Sequence, residues 1–196
     1  MNEEQRSVMV GTLLGDGCLE TQNRGRTYRL KIEHSIKQKG YTEWLYQVFQ
    51  SWVNDVPKEK RKLVKGKTYT NYYFQTRSVG DFRFYGQIFY DQNRRKSIPQ
   101  FIAKLLTPLA LAVWFMDDGS AKSKQHKALI LNTQCFSKRE LKVLIDALDQ
   151  KFDVEAKIRA QKEGFQLIIP RPEGFIELIK PYLREEFHYK LGANHI

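Results

Sequence analysis

Two stretches of this chain are apolar through nearly three helical turns, and both stop at Asp-Gly. Residues 9–17 read Met9-Val10-Gly11-Thr12-Leu13-Leu14-Gly15-Asp16-Gly17, and residues 111–119 read Leu111-Ala112-Val113-Trp114-Phe115-Met116-Asp117-Asp118-Gly119. The pattern predicts helices over 4–15 and 108–118, the second opened by Thr107 as N-cap with Pro108 in its first turn. Around them the chain reads twice as helix, hairpin, helix, hairpin, helix. The first half has a strand at 27–34, a helix at 40–53, a hairpin turning at Lys65-Gly66-Lys67 and a helix at 80–90. The second has a strand at 127–134, then a helix from the capping-box sequence Ser137-Lys138-Arg139-Glu140 to about Phe152. A hairpin of 154–160 and 165–169 turns at Gln161-Lys162-Glu163-Gly164, and a last helix runs from near Pro172 to near Leu183. Tyr41, Trp44, Leu45, Val48, Phe49 and Trp52 fall at i, i+3, i+4 spacing, the mark of a core-facing stripe.

The strands alternate. In 27–34, Thr27, Arg29, Lys31 and Glu33 share one face, opposite Tyr28, Leu30, Ile32 and His34. In 69–77, Tyr69, Asn71, Tyr73, Gln75 and Arg77 share a face, and Glu155, Lys157 and Arg159 oppose Val154, Ala156, Ile158 and Ala160. Any half-exposed sheet has a polar outer face. This one is rich in guanidinium, ammonium and amide groups, which can pair with base edges in the major groove. Arg29, Lys31, Asn71, Gln75, Arg77, Asn132, Lys157, Arg159 and Gln166 are the candidate readers.

Charge agrees. The 196 residues carry 33 Lys and Arg against 22 Asp and Glu, a net charge of +11 with a pI near 9.6. A polyanionic partner fits, since neutralising phosphates releases counterions. No run of about 18 apolar residues spans a membrane, and the acidic Met1-Asn2-Glu3-Glu4 start is unlike a secretion signal. Cys18 and Cys135 have no metal-ligand spacing and suggest neither a zinc site nor a disulfide framework. Cys18 reads as a small core-filling thiol. His34, His126, His188 and His195 are scattered, which argues against a histidine-based or zinc nuclease.

The repeat gives the chemistry. Asp16 and Asp118 stand 102 positions apart (118 less 16), one at the tip of each apolar helix. An ionised acid there costs free energy unless something pairs with it. If the two helices pack together, the tips bring two carboxylates side by side, where they repel. A divalent cation relieves the repulsion, and oxygen donors suit Mg²⁺, with Mn²⁺ able to substitute. Adjacent residues diverge on a helix, so within Asp117-Asp118 one serves through its backbone carbonyl; Gly15 holds the matching place in the first copy. Gly11 and Gly15 allow close helix approach on one side, whereas the second helix carries Val113 and Asp117 there, which predicts asymmetric packing. Matching Leu30 to Leu131 pairs Glu33 with Gln134, a further candidate catalytic pair in the strand after each motif. Lys96 and Lys190 follow the two acids at similar distances, 80 and 72 residues.

The two motifs resemble those of the LAGLIDADG homing endonucleases in their two-motif, single-chain form. Thr107-Pro108-Leu109, Leu131-Asn132-Thr133-Gln134, Ile179-Lys180-Pro181-Tyr182-Leu183 and Tyr189-Lys190-Leu191 extend the likeness, over most of the chain, to the group containing the mitochondrial omega-intron endonuclease. The resemblance implies an α+β fold of two pseudo-symmetric αββαββα halves, divided near Ser97-Ile98-Pro99 into 1–98 and 99–196, whose curved sheets form a saddle on DNA. It implies a monomer that cuts a long, asymmetric double-stranded site across the minor groove, leaving 3′ overhangs, within a mobile-intron or intein lifestyle. It also places Lys96 and Lys190 at the catalytic centre. There an ammonium would stabilise developing phosphorane charge or polarise water. The alternative is a maturase acting on intron RNA, or a binding protein that has lost cleavage. Either lifestyle places the chain where its encoding genome is: in an organelle, or in bacterial or archaeal cytoplasm.

Overall fold

The computed structural model describes residues 1–123 and 126–192; His195 and the end of the second half lie outside them. In chain order the first half is α1 (Glu3–Leu14), β1 (Cys18–Glu20), β2 (Arg29–Ser35), α2 (Lys39–Phe49), β3 (Lys58–Val64), β4 (Lys67–Gln75) and α3 (Arg83–Ile88). One helical turn, α4 (Ile102–Leu105), leads to α5 (Pro108–Asp118), β5 (Gly119–Ser123), β6 (His126–Asn132), α6 (Lys138–Phe152), β7 (Lys157–Gln161), β8 (Gly164–Ile169) and α7 (Glu173–Ile179). The two four-stranded antiparallel sheets have the same order, β1-β2-β4-β3 and β5-β6-β8-β7. This is the α+β arrangement of paired αββαββα halves that the sequence predicts.

Both motif helices start where their caps put them. Asn2 Oδ1 accepts from the Gln5 amide at 2.8 Å while Gln5 Oε1 accepts from the Asn2 amide at 2.9 Å. Thr107 Oγ1 accepts from the Ala110 amide at 3.1 Å. Every residue of Ser7–Leu14 and of Ala110–Met116 is buried. A helix buried all round needs neighbours on every side. α1 and α5 are each other's neighbour, and the inward faces of both sheets supply the rest through Leu30, Ile32, Leu129, Leu131 and Leu167. One continuous core therefore spans both halves.

The crossing of α1 and α5 is asymmetric, and the two sides are complementary. A methyl built on Gly11 would stand 2.6 Å from both the Ala110 carbonyl oxygen and Val113 Cβ. One built on Gly15 would stand 2.5 Å from Asp117 Cβ. The glycines of α1 are thus the sockets into which Val113 and Asp117 of α5 fit.

Element ends differ from the sequence pattern for local reasons. β1 follows directly on Asp16-Gly17 and β5 begins on Gly119 itself, and the three residues of β1 are too few to show alternation. Pro181 cannot continue a helix, so α7 ends at Ile179 and a 3₁₀ turn covers Lys180–Tyr182. The 80–90 segment splits into a 3₁₀ turn at Gly80–Phe82 and α3. α2 likewise gives way to a 3₁₀ turn at Gln50–Trp52. β7 starts at Lys157, although Val154 and Ala156 ahead of it are still buried. The β3–β4 turn has Lys65 and Gly66 at φ 47° and 75°, the two positive values of a two-residue hairpin.

Gly11→Ala should lower stability by about 1–3 kcal/mol, the range for overpacking a filled interior. The relevant obstacle is backbone, the Ala110 carbonyl, and cannot swing aside. Urea unfolding of the two proteins measures this; an unchanged midpoint would contradict the close crossing.

Candidate active site

The helix tips place Asp16 just beyond α1 and Asp118 at the end of α5. Asp16 is more than half exposed at its side chain. The Asp117 carboxylate reaches across the crossing: Oδ2 accepts the Asp16 backbone N–H at 3.0 Å, and Oδ1 accepts the Tyr41 hydroxyl at 2.8 Å. His34, buried on the inward face of β2, brings Nδ1 to 3.6 Å from Asp16 Oδ2. Its ring lies against Tyr41 with centroids 5.1 Å apart. Asp16, His34 and Asp117 thereby offer three ligand atoms within 4.8 Å of one another.

Both expected lysines arrive here. In the connection between halves, Asp91 Oδ1 accepts from the amides of Asn93 and Arg95, each at 2.8 Å, and Arg94 turns the chain at φ 59°. Lys96 then pairs with Tyr90 in an antiparallel bridge, and its ammonium donates to the Gly15 carbonyl. Lys190 stands on the 3₁₀ segment Glu185–Leu191, anchored by buried Phe187 and Leu191. Its Nζ donates to the carbonyls of Met116 at 2.5 Å and Asp117 at 3.1 Å. Each lysine therefore meets the carbonyl immediately before its half's acid. These are the Gly15 and Asp117 carbonyls expected as metal ligands, and each keeps a second lone pair.

The carboxylates are unequal. The His34 interaction outweighs burial and, with Lys96 and Lys190, holds Asp16 below the ordinary carboxylate range. Burial, then repulsion from Asp16 and Asp117, pushes Asp118 up to about 8. Burial likewise raises Asp117 to about 6, against the opposing pull of His34. Burial alone would depress His34, but Asp16 and Asp117 reverse this and raise it. Burial lowers Lys190, in part offset by the three acids. Burial and the neighbouring carboxylates thus leave the second motif acid much harder to ionise than the first.

Glu33 and Gln134 fare differently from expectation. β1 pairs Cys18 with Lys31, and β5 pairs Ser120 with Ile130, so Ile32, not Leu30, is the counterpart of Leu131. Asn132, not Gln134, then matches Glu33. Asn132 donates Nδ2 to the Asp118 carbonyl at 3.1 Å, while exposed Gln134 donates to Asn132 at 3.3 Å. Glu33 is held by Asn71 at 2.8 Å and by Lys60 and Lys62. Against partial burial, Lys62, Asn71 and Lys60 lower it to about 2.

The expected readers mostly share the polar sheet faces. Lys31 faces Gln75 and Arg159 faces Gln166 across their ladders. Arg29 and Lys31 are both paired with Glu20, at 2.7 and 3.6 Å, and Lys157 pairs with Glu155 at 2.9 Å. Asn132 accepts from Gln166 at 2.7 Å, which ties both to the site's margin. Arg77 lies beyond β4 and donates to the Ser51 carbonyl at 3.2 Å, apart from the ladder. The sequence reading missed His34 and Tyr41 as parts of the site. One looked like a scattered histidine and the other like a core aromatic; only a carboxylate placed between them gives them a role.

Comparison with known proteins settles the class. The sequence profile of the LAGLIDADG DNA endonuclease family matches residues 6–174. The chain belongs to this family. It is 31% identical to a probable intron-encoded endonuclease of Wickerhamomyces canadensis, over 99% of this chain and 86% of that one. The structure of the homing endonuclease I-WcaI bound to its DNA recognition sequence superposes with a TM-score of 0.90 at 30% identity, covering 97% of this chain and 86% of that one. The cytochrome b mRNA maturase bI2 of Saccharomyces cerevisiae is 29% identical over 98% of this chain and 48% of its own length. As a LAGLIDADG DNA endonuclease the protein is a hydrolase.

The raised Asp118 carboxyl has a consequence for the metal-free protein. In the unfolded chain this group ionises near pH 3.8; folded, it stays neutral up to about 8. Folding then holds a proton that the unfolded state has released, so its contribution to stability falls as pH rises through that window. Asp118→Asn should therefore be less destabilised than the parent on going from about pH 4 to about 8. Thermal melts in chelator across that range test it; parallel curves would contradict it.

Proposed function

We propose that this chain cuts both strands of a long, asymmetric double-stranded DNA site as a monomer, one strand per half (1–98 and 99–196), with Mg²⁺ as its natural metal and Mn²⁺ as a substitute. The observation carrying this reading is the paired arrangement at the helix tips. Each half contributes an acid, the carbonyl before it and a lysine on that carbonyl. The donor set suits a hard divalent cation: carboxylate and carbonyl oxygens, with burial and then repulsion from Asp16 and Asp117 pushing Asp118 up to about 8. Asp16, Asp118 and the carbonyls of Gly15 and Asp117 would hold the metal, which supplies Lewis-acid charge and a more acidic water.

The chain's own groups do the rest. Lys96 and Lys190 put ammonium charge where a scissile phosphate gathers negative charge. Glu33 and Asn132 hold equivalent positions in the two sheets, with Gln134 two residues beyond Asn132 and hydrogen-bonded to it, and these are the further polar groups offered to the catalytic centre. Arg29, Lys31, Asn71, Gln75, Lys157, Arg159 and Gln166 read base edges once their local partners exchange for DNA. Among the described residues no helix is long and apolar enough to cross a membrane, in keeping with work beside the encoding genome.

Asp16→Asn and Asp118→Asn should each abolish plasmid linearisation while binding to the target survives. Full linearisation by either would remove that acid from the site. Lys96→Met and Lys190→Met should each leave nicked DNA, with the nick on opposite strands. If a strand-labelled duplex shows the same strand cut in both, one lysine per strand is wrong. The bI2 relative favours a second reading in which intron RNA is a further partner. In that case the two Asp→Asn proteins lose cleavage and keep their effect on splicing.

A further inference from the structure

The two halves do not hold their acids alike, and the difference sits at one position of the repeat. Gly15 and Asp117 are equivalents, each just before its acid. Gly15 has no side chain, so nothing from α1 reaches across to Asp118. Asp117 does reach across, into the space that Gly15 leaves. It binds two groups of the first half, the Asp16 backbone N–H at 3.0 Å and the Tyr41 hydroxyl at 2.8 Å. His34 completes the set from beneath, 3.6 Å from the Asp16 carboxylate and packed on Tyr41. The ladder equivalent of His34 is Thr133, whose hydroxyl donates to the Phe165 carbonyl at 2.9 Å and leaves Asp118 alone. Among the described residues the Asp118 carboxylate accepts no hydrogen bond; Asn132 holds only its carbonyl.

We propose that Asp117 is a positioning residue acting across the halves: with Tyr41 and His34 it fixes Asp16, and so governs cutting of only the strand that Asp16 serves. This rests on the reading of one strand per half given above. The carbonyl of Asp117 serves Asp118 and Lys190 on its own side, while its carboxylate serves the opposite half. One residue thus contributes to both sites through two different groups, and a side-chain substitution separates them. Asp117→Asn is nearly isosteric but can accept at only one of its two partners, and it turns an amide donor toward the other. Tyr41→Phe removes one hydroxyl from an otherwise unchanged ring.

The test is the rate of each strand's cleavage on a duplex labelled separately on its two strands, with Asp117→Asn, Tyr41→Phe and His34→Gln. Lys96→Met and Lys190→Met identify which strand each half serves. Each of the three variants should slow the Lys96 strand, by about 10²-fold where Asp16 shifts by about an ångström, and leave the Lys190 strand within about twofold of the parent. DNA affinity should be unchanged. A merely structural role would slow both strands together or weaken binding, and either result overturns the proposal; so does slowing confined to the Lys190 strand. Linearisation by the parent protein reports on the endonuclease activity separately. If the lysine variants fail to separate the strands, one lysine per strand fails, and a shared bias of the three variants toward one strand still supports the network. Equal slowing by Tyr41→Phe, the variant least able to disturb folding, refutes it outright.

Discussion

The close crossing of α1 and α5 is the constraint on which the rest of the molecule depends. Two backbones approach because Gly11 and Gly15 offer no side chains, and Val113 and Asp117 occupy the vacated space. An interior packed this tightly has little room to slide, because any shift opens a gap on one side and a clash on the other. The helix tips are therefore fixed relative to each other. Since each helix also lies on its own sheet, the crossing fixes the two sheets as well.

That rigidity has an electrostatic cost which is concentrated at the tips. Burial and proximity raise Asp118 and Asp117, while His34 and the lysines hold Asp16 low. The same crossing that stabilises the fold through apolar contact thus crowds three carboxyl groups at its end, two of them hard to ionise. A site of this kind favours a cation, and it also favours a polyanion that brings cations with it. Stability and function meet at one place, a few residues past the last buried leucine of α1.

Pseudo-symmetry holds in the backbone and fails in the side chains. The sheets share strand order, the lysines share their carbonyl contacts, and a polar N-cap side chain opens both motif helices. Yet Gly15 faces Asp117, and His34 matches Thr133. Duplicated chains that remain on one polypeptide are free to diverge in this way, because neither half must be complementary to a copy of itself. The divergence lets one half lend a carboxylate to the other.

Sequence alone determined the repeat, the two motif helices with the Thr107 cap of the second, the alternating strands and the paired acids, and family resemblance added the lysines. Each of these is written in local order: an apolar run that stops at Asp-Gly, Thr107 before Pro108, Arg29 to Glu33 alternating about Leu30 and Ile32. The three-residue β1 was not legible, since so short a strand shows no period, and neither was the end of α7 until Pro181 was seen to break it. The pairing of Glu33 with Gln134 failed because matching one leucine to another cannot fix a register; the ladder from Cys18 and Ser120 does, and it selects Asn132. His34 and Tyr41 joined the site only in three dimensions. Their role depends on Asp117, which lies 76 residues beyond Tyr41 in the chain and 2.8 Å from it in the fold. Periodicity reports which face of an element is buried. Only the packing of one element on another decides which polar group a buried side chain meets there, because that partner comes from a distant part of the chain.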